Sequence, residues 1–380
     1  MGFLIPQYVS IFAVCGLKLL RSGEMENTMS RSSDILSLTG EAAVLARHGK
    51  ISFANAAAVS ILGEKCIGQS VQAVFGKELA SVQASSFIAG LPVDGKHYII
   101  RMTKMEDEQL LFFSCPEIAP ALLNDAFLYN IRSTLMNLGI SASRIRERAE
   151  GAGDTTTLAN VASITHSYYK LHRLISNVSL VLDISRGTLQ TGIVEQDMSA
   201  LCQKVMDTVV FFCPEVDFHI NLGEKIICPA DTAMVTNLLL NLVSNCLIHA
   251  KGYTRISVTL AAAADSVVLA VSDDGCGVEP SRLHMVFDRY RYNFDISSMN
   301  CGIGLGLTAV RSIAQLHGGA LLMESRPGQG TSVRASFHRR TSASKSLHAP
   351  QPTTQDALRL TLIGLADYLP PSCYNEKYMD

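Results

Sequence analysis

Residues Asn237 to Ala250 read NLLLNLVSNCLIHA, and within them Asn241 and Asn245 stand four apart, on one face of a helix. An asparagine oxygen is a neutral, hard ligand, suited to a Mg²⁺ ion that also holds phosphates. Two asparagines at this spacing also fit an ordinary solvated face, so the neighbouring segments decide the reading.

Downstream, VSDDGCGV (271–278) is a strand ending in Asp273 and Asp274 before Gly275 and Gly277. A buried carboxylate there accepts a hydrogen bond from an exocyclic amine such as adenine's, whereas an exposed one marks an Asp-Gly turn. In VFDRYRY (286–292), Phe287 can pack while Arg289 and Arg291 face an anion. CGIGLGLTAV (301–310) places Gly302, Gly304 and Gly306 at alternate positions ahead of a helix. Such a run lets backbone N–H groups approach an anion beside the positive end of the helix dipole. It lacks the Lys-Ser/Thr ending of a P-loop and the strand placement of a dinucleotide fingerprint. HGGALLMESRPGQGTSVRASF (317–337) then reads as two strands around the glycine turn Gly328–Gly330.

Two other regions precede this one. Residues 41–117 alternate short strands and turns, including a His48-Gly49 turn and a strand pair, Tyr98–Lys104 and Gln109–Cys115, around MEDE. They suggest a small α+β domain. Residues 118–187 read as two long helices broken by EGAGDTTT. Val161, Ile164, Tyr168, Leu171, Ile175, Val178 and Leu182 follow a 3-4 spacing, as do Leu128, Ile131, Leu135 and Leu138. One helical hairpin has little interior, so pairing with a second copy into a four-helix bundle is the economical solution. His166 and His172 lie off this seam and are expected to be solvated.

The 380 residues have room for two or three domains of roughly 100–200 residues each. A net charge of −2 gives no general pull toward nucleic acid. The ten cysteines include no C-x-x-C pair, which fits reduced thiols in a cytosol. Residues 1–30 include FLIPQYVSIFAVCGLKLL (3–20), either a short membrane anchor or a stretch upstream of the true start, since Met25 and Met29 follow. Lys18 and Arg21 would leave the remainder inside the cell. Residues 339–380 read as a polar linker and a structural C-terminal helix.

In this order and spacing, NLVSNCLIHA, DDGCGV, VFDRY, GIGLGL and HGGALLMESRPGQGTSV resemble the ATP-binding domain shared by sensor histidine kinases, type II topoisomerases and large heat-shock chaperones. The histidine-kinase branch fits best. Residues 41–117 resemble a PAS sensor domain, and the hairpin resembles the dimerising phosphoacceptor domain. The resemblance implies a multidomain α+β protein: a PAS-like domain, an antiparallel hairpin, and an α/β sandwich of the histidine-kinase ATPase type over 190–338. It implies ATP and Mg²⁺ as cofactors, with Asn245 on the metal, Asn241 supporting it and Asp273 on adenine. Gly275 and Gly277 then admit the base. Gly302, Gly304 and Gly306 wrap the phosphates beside a lid over 291–301, and His249, Arg289, Leu307 and Thr331 lie near the nucleotide. Ile248 stands where the family often has a lysine, and Cys276 where proline is common.

The family's phosphoacceptor motif resembles H-E-x-R-[ST]-P-L, and here the matching text is YNIRSTL (129–135). Tyr129 replaces the histidine and Asn130 the acidic residue, while Ser133 keeps a position tied to phosphatase activity. A neutral phenol is a poor nucleophile without a strong base, and an amide is not that base. The resemblance therefore implies a cytoplasmic or membrane-anchored homodimer of a two-component system that binds ATP but has lost ordinary histidine autophosphorylation. A response regulator or partner kinase is the implied partner. A kinase acting in trans and a non-catalytic PAS-gated scaffold are the alternatives.

Overall fold

Tyr98, Ile100 and Met102 are buried at alternate positions, as strands with one covered face require. The computed structural model describes Leu36 and residues 41–76, 86–93, 96–105, 108–114, 125–189, 191–279, 305–339 and 354–374. In it, strands β1 (Ala42–Arg47), β2 (Lys50–Ala54), β3 (Ser86–Val93), β4 (Lys96–Met105) and β5 (Glu108–Ser114) align in the antiparallel order β2-β1-β5-β4-β3. Register makes rows of the buried residues: Ile100 faces Phe113, which faces Ala42, and Met102 faces Leu111, which faces Val44. Phe75 meets the Phe113 ring edge-on at 5.4 Å.

The predicted His48-Gly49 turn forms, with φ of 49° and 74° at the two residues, as a tight two-residue hairpin demands. Helices α1 (Ala56–Leu62) and α2 (Val71–Phe75) follow β2. Asn55 caps α1 and is 3% exposed. Its Oδ1 accepts from the Ala58 and Ala43 N–H groups, and its Nδ2 donates to the Leu36 and Glu41 carbonyls, so no hydrogen-bonding capacity is left for a ligand.

The hairpin consists of α3 (Asp125–Ala152) and α4 (Thr155–Arg186), joined where the glycines and Asp154 were expected to break the helix. Asp154 Oδ1 accepts from the N–H groups of Thr156 and Thr157, and Gly187 ends α4 at φ 67°. Val161, Val178 and Leu182 of the seam are buried, whereas Ile164, Leu171 and Leu138 are exposed. His166 and His172 depart from expectation, because both are half-buried. His166 donates from Nε2 to the Ala366 carbonyl at 2.7 Å and lies 4.9 Å from the Tyr374 ring.

Beyond the hairpin come β6 (Val194–Asp197), α5 (Met198–Phe212), β7 (Asp217–Leu222), β8 (Ile227–Ala230), α6 (Thr232–His249), β9 (Arg255–Ala262) and β10 (Ser266–Asp273). After 280–304 follow α7 (Leu305–Leu316), β11 (Leu321–Ser325), β12 (Thr331–His338), α8 (Thr354–Gly364) and a 3-10 turn, Pro371–Tyr374. Strands β7, β9, β10 and β12 are neighbours in that order, β7 parallel to β9 and the rest antiparallel. Their buried side chains stack across the sheet, Leu260–Leu269–Ala335 and Val258–Val271–Val333. Removing one such leucine side chain typically costs about 2–5 kcal/mol. Among the described residues, α6 alone is long and apolar enough to cross a membrane, but 67% of it is buried inside the protein, which makes it a core helix. Residues 3–20, Arg289, Gly302, Gly304 and the lid expected at 291–301 lie outside the described residues.

His317 pins the start of α6. Its Nδ1–H donates to the Ile313 carbonyl at 2.7 Å, which leaves Nε2 to accept from the Asp231 N–H at 3.0 Å. Burial lowers the His317 pKa, so the unfolded chain binds its proton first. Stability from this group is therefore whole above the unfolded value near ~6.5 and declines as pH falls through the folded one. Thermal melts between pH 7.5 and 5.5 should lose midpoint on acidification, and His317→Gln should flatten part of that slope.

Candidate functional site

Helix α6 has one polar stripe on an otherwise apolar surface. Its cap, Asp231, accepts from the Met234 N–H through Oδ1 and from the Gly192 N–H through Oδ2, fixing where the helix begins. Asn237 and Asn241 then face the hairpin, Asn245 follows one turn on, and His249 is exposed at the end. Helix α7 begins beside this stripe. A Cβ on Gly306 would lie 3.0 Å from Asn241 Oδ1 and 3.8 Å from Asn245 Oδ1, so the last of the three alternate glycines meets both asparagines. Leu307 beside it is half-buried.

Strand β10 brings Asp273 to the same region. Its Oδ1 accepts from the Gly275 N–H at 3.0 Å and the Thr331 N–H at 3.3 Å. Burial raises the Asp273 pKa, and those amides oppose the rise. The neighbouring α6 thiol, Cys246, is pushed well above its ordinary value, by burial first and by the Asp273 charge second. That contact ties the strand end to the asparagine helix. Asp274 serves differently. It takes the N–H groups of Thr254 and Arg255 and the Thr254 hydroxyl, the last of which does most to lower its pKa to about 2. Asp274 is a loop anchor, and Asp273 is the carboxylate held at the candidate site.

Glycine is required where this loop closes. Gly277 has φ 63°, and a Cβ there would fall 2.0 Å from the Arg326 carbonyl. At Gly330, φ 82°, a Cβ would fall 1.9 Å from the Asp273 carbonyl. Gly275 likewise presses on the Ala250 backbone. Backbone thus occupies the space that a side chain at Gly275, Gly277 or Gly330 would need.

The residues present suit a nucleotide and its cation. Asn245 Nδ2 is buried with no hydrogen-bond partner among the described residues, an orphan that a polar ligand would satisfy. Amide oxygens at 241 and 245 are hard donors of the kind Mg²⁺ takes beside phosphate. Asn241 itself is already engaged: its Oδ1 accepts from Arg173 at 3.0 Å and from Asn177 at 3.3 Å, both on α4. Sequence reasoning missed that pair. Their spacing of four on the face away from the apolar seam was the available signal. Tyr129, by contrast, is 72% exposed on α3, with Asn130 and Ser133 exposed beside it.

The model of the histidine kinase-, DNA gyrase B- and HSP90-like ATPases matches residues 230–341, which span this site from α6 to β12. Residues 230–341 thus carry an ATPase domain of this type, and the curated proteins similar to the chain are sensor histidine kinases. It is 28% identical over 211 residues to the sensor protein IrlS of Burkholderia pseudomallei, 55% of this chain and 45% of that one. It is 30% identical over 208 residues to the sensor histidine kinase ZraS of Salmonella typhimurium, 53% of this chain and 42% of that one. The chain thus spans less than half the length of these relatives. The crystal structure of full-length ShkA with AMPPNP is similar at 19% identity and a TM-score of 0.46, over 57% of this chain and 46% of that one.

In this histidine kinase homologue the close approach of Gly330 to Asp273 sets the strand end. Gly330→Ala combines a positive φ with a backbone clash, and should destabilise the protein by about 2–4 kcal/mol in urea titrations. Gly328→Ala, also at positive φ but in open space, should cost less.

Proposed function

We propose that this protein is a nucleotide-binding sensor-kinase homologue that has lost ordinary histidine autophosphorylation. The single observation carrying the reading is the meeting of Asn241, Asn245 and Gly306 at one point beside the orphaned Asn245 amide. In this reading Asn245 supplies a metal-ligand oxygen, Asn241 supports it, and Asp273 accepts from the adenine amine. Residues 41–117 are a PAS-like sensor domain, 118–187 the dimerising hairpin and 190–338 the ATP-binding domain. When bound, the nucleotide supplies a terminal phosphoryl group whose charge Mg²⁺ shields.

In this reading the expected acceptor position of the hairpin offers that group no competent nucleophile. Tyr129 is open to solvent, and neither Asn130 nor Ser133 is a base that could take its proton at neutral pH. Exposed Leu138, Ile164 and Leu171 give the hairpin an apolar face that a second copy would cover, which supports a homodimer. The protein then works as a dimeric regulator in a two-component pathway, its domains on the cytoplasmic side, with a response regulator or partner kinase as its contact.

Purified protein given radiolabelled ATP and Mg²⁺ should take up no acid-labile, base-stable label. The double variant Tyr129→His, Asn130→Glu should take it up. Label on the unaltered chain overturns the loss of autophosphorylation, and label only on an added response regulator assigns a kinase acting in trans. Asp273→Ala should weaken binding of a trinitrophenyl ATP analogue at least about tenfold, the loss of a buried charge-assisted hydrogen bond.

A further inference from the structure

Arg173 of α4 is 8% exposed and three partners surround its guanidinium. Its Nη1 donates to Ser244 Oγ at 3.0 Å and to Asp367 Oδ2 at 2.8 Å, and its Nη2 donates to Asn241 Oδ1 at 3.0 Å. Asn177, one turn along, donates to the same Asn241 oxygen and accepts from Asn237. A hairpin arginine, a half-exposed C-terminal carboxylate and the asparagine stripe of α6 therefore form one network around a buried guanidinium.

The carboxylate belongs to a segment that lies beyond the ATPase match, which ends at residue 341. Residues 354–374 are firmly seated. Gly364 lies so near α6 that a Cβ would come within 2.7 Å of Leu240 Cβ. The Thr361 hydroxyl meets that of Thr208 on α5 at 2.6 Å, and both are buried. The Ala366 carbonyl receives His166 of α4, and Tyr374, 1% exposed, donates back to the Leu362 carbonyl. One short segment thus holds α4, α5 and α6 together.

Its position opposes a cation. Arg173 carries a fixed positive charge and engages the oxygen of Asn241, the residue that supports the metal ligand Asn245. A dication beside Asn245 meets like-charge repulsion from that guanidinium, which is itself buried and so only partly screened by water. Asp367 fixes the direction of the guanidinium, keeping it on Asn241.

We propose that residues 354–374 are an autoinhibitory strap, which holds Arg173 on Asn241 and must loosen before a Mg²⁺-bound nucleotide is gripped. The inference rests on the nucleotide reading of the same site. If the strapped form dominates, apparent affinity is reduced by the fraction of chains that are released, so freeing the strap should strengthen binding about tenfold or more.

Three variants of the full chain test this: Asp367→Asn, Arg173→Gln and Gly364→Val, the last forcing the tail off Leu240 without touching the network. Far-ultraviolet circular dichroism checks that each folds. Without nucleotide, hydrogen exchange in 354–374 should quicken in Asp367→Asn and Gly364→Val. With Mg²⁺ and the trinitrophenyl ATP analogue, all three should bind about tenfold tighter, and the unaltered chain should exchange faster in 354–374 as the analogue saturates. Binding abolished by Asp273→Ala yet unchanged by the strap variants overturns the strap while leaving the nucleotide reading intact. Weaker binding in Arg173→Gln overturns it too, and makes that arginine a phosphate contact. Absence of binding in every protein, released variants included, sinks the nucleotide reading and the strap with it.

Discussion

Helix α6 can offer asparagines to a ligand only because nearly all of its other side chains are taken up by core packing. Val235, Leu238, Leu239, Leu242 and Val243 are buried, so the rotation of the helix about its axis is fixed by apolar contact. What remains is the stripe of Asn237, Asn241 and Asn245. Translation along the axis is fixed at the other end, where His317 accepts from the Asp231 backbone and Asp231 caps the first turn. With rotation and translation set, the close approaches of Gly306 to the asparagines and of Cys246 to Asp273 follow. The site is therefore a by-product of core packing, and a core change in α6 would misplace it without touching a polar residue.

The elements most legible in the sequence were those whose causes are local. The His48-Gly49 turn, the break at Asp154 and the strand ending at Asp273 each depend on a few adjacent residues, and each forms where expected. Asp273 and Asp274 show the limit of local reading. They are neighbours in sequence, yet one ends a strand half-buried against Thr331 while the other folds back on Thr254 and Arg255. Only tertiary contact separates a held carboxylate from a loop anchor. The glycines at 275 and 277 carry the same lesson, since their small size is used by Ala250 and Arg326, residues 25 or more positions away.

The histidines of α4 failed expectation for a related reason. Helical periodicity marks one apolar face and treats the remainder as solvent-facing. In this chain the remainder of α4 is a second buried face, made of Arg173, Asn177, Ser179 and half-buried His166. Its partners, α6 and the tail, come tens to hundreds of residues later. Most of this polar face can be buried because α6 and the tail satisfy it: Arg173 has three acceptors, and Asn177 both donates and accepts.

That second face gives the hairpin two kinds of contact. Its apolar residues Leu138, Ile164 and Leu171 are exposed and fit association, while its polar residues are committed to the ATPase fold. Apolar contact is tolerant of small shifts, but a buried guanidinium is not, because one lost acceptor leaves a charge unpaired in a poorly solvated place. The polar face is thus the discrete one, either engaged or released. If nucleotide and strap compete for Asn241, their coupling is reciprocal: whatever moves α4 changes nucleotide affinity, and nucleotide binding moves α4 by the same free energy. If Tyr129 stands at the acceptor position, as proposed, that reciprocal shift of the hairpin is an output that requires no phosphoryl transfer.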